Sequence, residues 1–416
     1  MNKYSPRHMS RIGYGYRPYD GKESFSSWLY DQLTLAYLQA RDGKRKTHDE
    51  HNFELNQYDN VAELVREVIN RTYRPGKSTA FLVHKPVDRE IFAAHFRDRV
   101  IHHFLYNATA WWWDRRMSPD CYSCRVGKGT WYGISRLARH VRSVSQNGTK
   151  PAYVIKLDIQ GYFMSLDRNK LYERVCWGLD QQFPRHNLEY HLLKFLWRVI
   201  IMDDPVSHVA VRGDISQWMN FPAHKSLFCQ PKGKGIVIGN LTSQLLSNIY
   251  LSLLDHYVQN VLGYKHYGRY VDDFFLIITA DEYQKAKRDI AKIEKFLKDN
   301  LYLTLHPKKR YFQSVDKGVA FLGAVIYPHA VVPGKRFKRN FYAAAYRFVT
   351  GQDDSLESVI SYIGFTYNLN GRKLLKDISD HYGGRIMGIQ DGTKPNTQQA
   401  EPPHSNAKPS ERHTGR

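Results

Sequence analysis

The run Tyr270-Val271-Asp272-Asp273-Phe274-Phe275-Leu276-Ile277-Ile278 constrains this chain more than any other stretch of it. Two adjacent carboxylates stand between residues that favour strands. Acids in an apolar setting are costly unless they sit at a hairpin tip and meet positive charge. A further acid, Asp158, ends the strand-like segment from Pro151, in which Tyr153, Ile155 and Leu157 share one face under the two-residue period. Asp158 then faces the other way. If the two segments are neighbouring strands, the Asp158 and Asp272 carboxylates lie about 4 Å apart and repel by roughly 4 kcal/mol at an effective dielectric near 20. Paired divalent cations, about 3.5–4 Å apart, turn that repulsion into binding. An isolated Asp-Asp is as readily an ordinary turn, but the apolar flanks and the distant strand-ending acid argue against that here.

Charge points to the same kind of partner. Lysine and arginine number 61 against 40 acids, a net +21 over 416 residues. A surplus of that size says nothing about fold but favours a polyanionic ligand. It does not come from the tail, because Gln390 to Arg416 holds four cations and three anions. Cys121, Cys124, Cys176 and Cys229 are too few for a disulfide scaffold, so a reducing compartment is expected. The first 22 residues lack the apolar centre of a signal peptide, and no run is long enough to cross a bilayer. The expectation is a soluble, cytoplasmic protein with no membrane partner.

Helical spacing predicts two helices between Ser24 and Arg74, joined by the charged link Arg41 to Lys46. A strand is expected around Ser78 to Pro86, a helix over Arg97 to Trp113, and a helical region from Asp158 to about Ile201. Beyond these come a helix from about Thr242 to Val261, two strands flanking Asp272, and an amphipathic helix over Glu282 to Asn300. Val319 to Tyr327 reads as one strand, and the rest to Tyr382 as mainly helical.

Tyr270-Val271-Asp272-Asp273 resembles the catalytic box of reverse transcriptases, with Asp158 in the place of their upstream metal-binding aspartate. The resemblance covers about Lys85 to Ala345. It implies an RNA-directed DNA polymerase using two Mg²⁺ ions, for which Mn²⁺ can substitute. The metals would be held by Asp158, Asp272, Asp273 and the Ile159 backbone carbonyl. It also implies dNTPs, a template RNA and a primer or cDNA strand as partners. Phe163, five positions after Asp158, matches the aromatic that rejects a ribose 2′-hydroxyl by filling its space. Lys85 and Arg89 match fingers cations that grip the triphosphate. Arg97 and Arg125 lie in blocks similar to fingers segments of bacterial members, and Lys308 matches a lysine placed near pyrophosphate. Tyr270 and Gly323, the latter in a segment like the primer grip, are expected to meet nucleic acid.

The fold implied is α+β: a right-hand polymerase with fingers, a palm of antiparallel sheet plus helices, and a helical thumb. Its parts would be an N-terminal helical extension over 1–75, fingers over 76–150 and a palm over 151–335, with a fingers insertion at about 165–235. A thumb over 336–388 and a disordered tail over 389–416 would complete it. The block Ile238-Gly239-Asn240-Leu241-Thr242-Ser243-Gln244 most resembles enzymes of diversity-generating retroelements, with Ile238, Gly239 and Gln244 near template and nucleotide. That type would make adenine-mutagenised cDNA for mutagenic retrohoming and work with a small basic accessory protein that forms a pentameric barrel. One alternative is an antiphage defence reverse transcriptase copying a dedicated non-coding RNA. Another, of a different class, is a non-catalytic RNA-binding maturase or scaffold. Cys121 and Cys124 have half the spacing of a zinc site, but no second pair follows.

Overall fold

The computed structural model describes residues 15–42, 47–84, 87–352 and 356–382. It divides into two compact units, one comprising Met1–Leu322 with Ile326–His329, the other Gly323–Val325 with Ala330–Arg416.

The first unit opens with three helices where two were expected: α1 (Phe25–Arg41), α2 (His48–Leu55) and α3 (Gln57–Ile69). The Ser24 side chain caps α1 by accepting from the Ser27 N–H. Asn56, at φ −125° and ψ 42°, separates α2 from α3. Residues 43–46 of the charged link lie outside the described residues. Strands β1 (Ser78–Val83) and β2 (Arg89–Ala93) pair antiparallel, with Phe81 opposite Ile91. Then come α4 (Phe96–Asp114), α5 (Thr130–Val144), β3 (Ala152–Ile159), α6 (Tyr162–Ser165), α7 (Arg168–Gln182) and α8 (Leu188–Met202). Strand β4 (Val209–Val211) joins β1 in parallel. Helix α9 (Leu241–His256) runs on into a π-helical turn to Val261. Strands β5 (Tyr267–Tyr270) and β6 (Asp273–Thr279), helix α10 (Tyr283–Leu301), and strands β7 (Leu305–Ser314) and β8 (Val319–Phe321) complete the unit.

A four-stranded antiparallel sheet, in the order β5-β6-β3-β7, is the centre of this unit. Alternation sorts its side chains. Ile155, Leu157 and Ile159 of β3 and Phe274, Leu276 and Ile278 of β6 enter one core with Leu246 and Ile249 of α9 and Ile293 and Leu297 of α10. Lys156, Asp158 and Asp273 occupy the opposite face. Strand β7 was not foreseen, because its run of cations shows no apolar alternation. It is an edge strand, where charged side chains and Pro307 are tolerated. The single strand expected over Val319 to Tyr327 is two, broken at Leu322 (φ 47°) and Gly323 (φ 88°).

The second unit holds the short strand β9 (Ala324–Ile326) up to Val325 and the short strand β10 (Val331–Pro333), followed by α11 (Lys335–Val349), α12 (Leu356–Tyr367) and α13 (Arg372–Tyr382). Phe341, Ala345, Val359, Ile363, Leu374 and Ile378 form its own apolar core. The tail expected to be disordered lies outside the described residues, and no helix among those described is long and apolar enough to cross a membrane.

Candidate active site: a carboxylate turn on the sheet

Strands β5 and β6 are joined by a two-residue turn, Val271-Asp272, closed by the pairing of Tyr270 with Asp273. Val271 has φ 58°, a conformation that a β-branched residue adopts only when its surroundings impose it. The impositions are visible. The Val271 N–H donates to Ser123 Oγ at 2.9 Å, and its carbonyl accepts from Arg269 Nη1 at 2.8 Å. Arg269 is itself fully buried and donates from Nε and Nη2 to the two oxygens of Asp255, each at 2.7 Å. Tyr267 Oη also donates to Asp255, while Asn248 Oδ1 and Cys121 Sγ each accept from Arg269 at 3.2 Å. Every polar atom beneath the turn thus has a partner, as burial requires. At Gly268, a Cβ would overlap the Tyr122 hydroxyl and the Phe275 ring, so only glycine lets the strand pass there.

Leu157 of β3 is opposite Phe274 of β6, which brings Asp158 beside Asp273, next to the turn that carries Asp272. The three acids expected to work together are therefore brought together by register alone. Burial first, then the Asp158 carboxylate, pushes the Asp272 pKa up to about 6. Burial also raises that of Asp273, against the opposing pull of the Lys156 ammonium. Lys156 Nζ lies 3.0 Å from Asp273 Oδ2, and Lys309 Nζ lies 3.1 and 3.0 Å from the two oxygens of Asp158. Asp272 makes no ion pair among the described residues. Asp158, Asp273 and Lys156 edge an open cleft of about 390 Å³ whose cationic wall is Lys308, Lys309 and Arg310.

The donor set is all carboxylate oxygen, which suits a hard cation such as Mg²⁺. As they stand, no three of the His, Cys, Asp and Glu side chains among the described residues are grouped to hold a metal. Amines stand where cations would, on Asp158 and Asp273. Lys309, whose side chain is 58% exposed, has the freedom to leave Asp158.

Neither lysine was singled out from sequence, although each left a signal. Lys156 precedes Asp158 by two and so shares its strand face. Lys309 rather than Lys308 reaches Asp158, where the register shifts between the Leu157–Arg310 and Ile159–Leu305 pairs. Lys308 itself is exposed, and its N–H donates to His306 Nδ1. The buried Arg269–Asp255 network left no sequence signal.

The remaining predicted residues fall at varied places. Ile159 pairs with Leu305 beyond a register shift that leaves the extra residues in β7, with its side chain buried. Phe163 is half-buried after Gly161 and meets the Tyr162 ring at 5.4 Å. The Ile238 carbonyl accepts from the Phe92 N–H at 3.0 Å. Gly239 adopts φ 129°, and a Cβ there would press on Ile91 Cγ2 at 3.0 Å and the Phe92 carbonyl at 3.1 Å. Gln244 is exposed on the first turn of α9, and Arg89 is exposed at the start of β2. Lys85 lies outside the described residues. Gly323 belongs to the second unit, where its carbonyl accepts from the Gly334 N–H at 2.8 Å.

Two arginines differ from the expectation. Arg125 is tied inward: its guanidinium donates to Asp114 Oδ1 (2.6 Å) and to the carbonyls of Asp114, Ser118 and Cys121, leaving little for a phosphate. Arg97 pairs with Glu67 and lies over the Tyr73 ring. Both are held by local acids that sequence spacing does not reveal. Cys121 is likewise occupied, between Asn248 and Arg269.

No protein-family model matches the sequence, and no curated protein matches it. Among solved structures, the chain is similar to telomerase from Candida albicans in complex with the TWJ fragment of telomeric RNA. That match has 11% identity and TM-score 0.45, over 79% of this chain and 57% of that one. Apo telomerase from Candida tropicalis, truncated from its C-terminal domain, matches at 13% identity and TM-score 0.44, over 62% and 55%. The same organism's telomerase with the TWJ fragment matches at 12% and 0.43, over 79% and 59%. The chain spans less than two thirds of the length of each.

Proposed function

We propose that the protein is an RNA-directed DNA polymerase whose reaction takes place at Asp158, Asp272 and Asp273. One observation carries the reading: Asp158 and Asp273 stand side by side on paired strands, next to a strained turn that presents Asp272, and the two acids line a cleft together with Lys156, Lys308, Lys309 and Arg310. A pure binding protein has no use for three clustered acids in a site that must meet polyanions. Asp158 and Asp272 would hold Mg²⁺, with Asp273 nearer the edge, where Lys156 already restrains it. Bound Mg²⁺ would supply activation of a primer 3′-hydroxyl and charge neutralisation at the leaving pyrophosphate.

The chain's own groups do the rest. Lys308 and Lys309 neutralise phosphate on the cleft wall, Lys309 after giving up Asp158. Phe163 and the Ile238-Gly239 backbone bound the nucleotide, and Arg89 grips its phosphates. In this reading the first unit supplies fingers and palm and the second a helical thumb. The Ile238 to Gln244 block supports a diversity-generating retroelement enzyme, with its adenine errors, its retrohoming cDNA and its basic pentameric accessory protein. An aliphatic Ile238 offers the templating base no hydrogen bond. The same block keeps a defence enzyme copying a non-coding RNA as the second reading.

The decisive experiment is extension of a DNA primer on an RNA template by purified protein with dNTPs and Mg²⁺. Wild type should extend. Asp158→Asn and Asp272→Asn should each lower the rate by at least about 10³-fold, the scale of losing a main source of transition-state stabilisation. Extension that survives both substitutions rules the assignment out.

A further inference from the structure

Lys170, Arg174 and Trp177 follow one another along α7 at spacings of four and three, so they form one stripe down the helix. Beside it, Leu171, Val175 and Gly178 face the core. The stripe is lined with rings and cations. The Lys170 ammonium lies 4.5 Å from the centre of the Tyr302 ring, which Lys234 approaches at 5.5 Å. The Arg174 guanidinium lies over Trp177 at 4.0 Å and Trp113 at 5.2 Å. Trp177 in turn meets Trp112 and Trp113, and Arg116 covers Trp112 at 3.8 Å. Trp113 occupies the space that a side chain at position 178 would need, so glycine there fixes the indole wall.

Two features set this cluster apart from ordinary packing. Trp177 is 44% exposed and Tyr302 50%, and each ring is exposed beside a cation that lies over it. In addition, Lys170, Arg174, Lys234 and Arg116 make no ion pair with any acid among the described residues. Arg174 Nε is buried without a hydrogen-bond partner. Glu173 lies on the adjoining face of α7, and the nearby Asp180 is bound by Arg185 and Tyr190. Exposed rings between unpaired cations match a chain that alternates flat bases with phosphates.

One end of the stripe is tied through the backbone to the segment that follows Asp158. Tyr302 stands two residues before Thr304, whose carbonyl accepts from the Gln160 N–H at 2.9 Å, and Gln160 is two residues past Asp158. We propose that the stripe Tyr302–Lys170–Arg174–Trp177 binds a single-stranded polynucleotide, carrying a template or product strand along α7 beyond the cleft. The role of that strand rests on the polymerase reading; the binding does not.

The test is fluorescence anisotropy of the full chain with labelled single-stranded RNA, single-stranded DNA and duplex oligonucleotides of equal length. Trp177→Ala should weaken single-strand binding about tenfold and leave duplex binding unchanged. Trp177→Phe should restore most of the loss, because a ring still stacks. Arg174→Gln should lower the slope of log K against log salt by about 0.7, the value for one phosphate on a single strand. Loss with RNA alone assigns the template, loss with DNA alone the product, and loss with both a shared track. Unchanged single-strand affinity in Trp177→Ala, together with an unchanged salt slope in Arg174→Gln, overturns the proposal. If Trp177→Ala fails to fold, Arg174→Gln and Lys170→Gln decide the matter by the same slope. Primer extension by wild type separates the two readings: a chain that does not extend but binds through the stripe fails as a polymerase only.

Discussion

At Asp272, burial and the neighbouring Asp158 and Asp273 carboxylates act in the same direction and lift the pKa to about 6, from an ordinary value near 3.9. Between those values the folded chain holds the proton more tightly than the unfolded chain. This group's contribution to stability is therefore greatest at low pH and is lost as pH rises through about 6. Metal-free protein should melt at a lower temperature at pH 7 than at pH 5 on this account. Asp272→Asn should flatten that difference, and added Mg²⁺ should stabilise wild type above pH 6 but not the variant. Thermal melts at the two pH values, with and without Mg²⁺, check both statements. Phe163 lends itself to a second substitution. Its ring is half-buried and borders the small cluster of Ala80, Phe92, Met164 and Leu227, so shortening it opens space without dismantling the main core. Phe163→Val should raise ribonucleotide incorporation relative to deoxyribonucleotide by about tenfold or more. An unchanged ratio in competition assays removes the 2′-hydroxyl assignment.

The β5–β6 hairpin depends on a buried ion pair. Arg269 and Asp255 are both inaccessible, and each is saturated by neighbours, so removing one leaves the other charged and unpaired. Arg269→Met should cost about 3–5 kcal/mol in chemical denaturation, whereas Arg269→Met with Asp255→Leu should cost much less, because no charge is stranded. Stability and geometry separate in the double variant. Val271 still loses the donor to its carbonyl, so the turn can relax away from φ 58°. Primer extension should therefore stay low in the double variant even where the denaturation midpoint recovers. Equal recovery of both would reduce the pair to a stabilising element.

Across the chain, a net +21 is distributed over helices, strands and loops rather than held in the tail. Cations that meet phosphate release counterions, so affinity for nucleic acid should fall linearly in log K against log salt. The slope is about −0.9 per phosphate on a duplex and about −0.7 on a single strand. If the cleft cations and the α7 stripe act together, the single-strand slope should correspond to several phosphates. A salt-independent affinity would exclude any extended cationic track.

The carboxylate turn, the strand ending at Asp158 and the helical spacing of α1, α3 and α10 were legible in the sequence. Each is a local pattern: apolar residues at a period of two or near 3.6, punctuated by acids that an apolar strand does not otherwise tolerate. Tertiary structure alone decided which cations face those acids, because Lys309 reaches Asp158 through the register of β3 against β7 and not through its place in the chain. It alone turned Arg125 inward to Asp114, and it alone set Arg269, next to the carboxylate turn, on Asp255 in the core. The physical reason is common to the two arginines. A charged side chain written in sequence reads as a surface group, and only the partner brought to it by folding makes it internal.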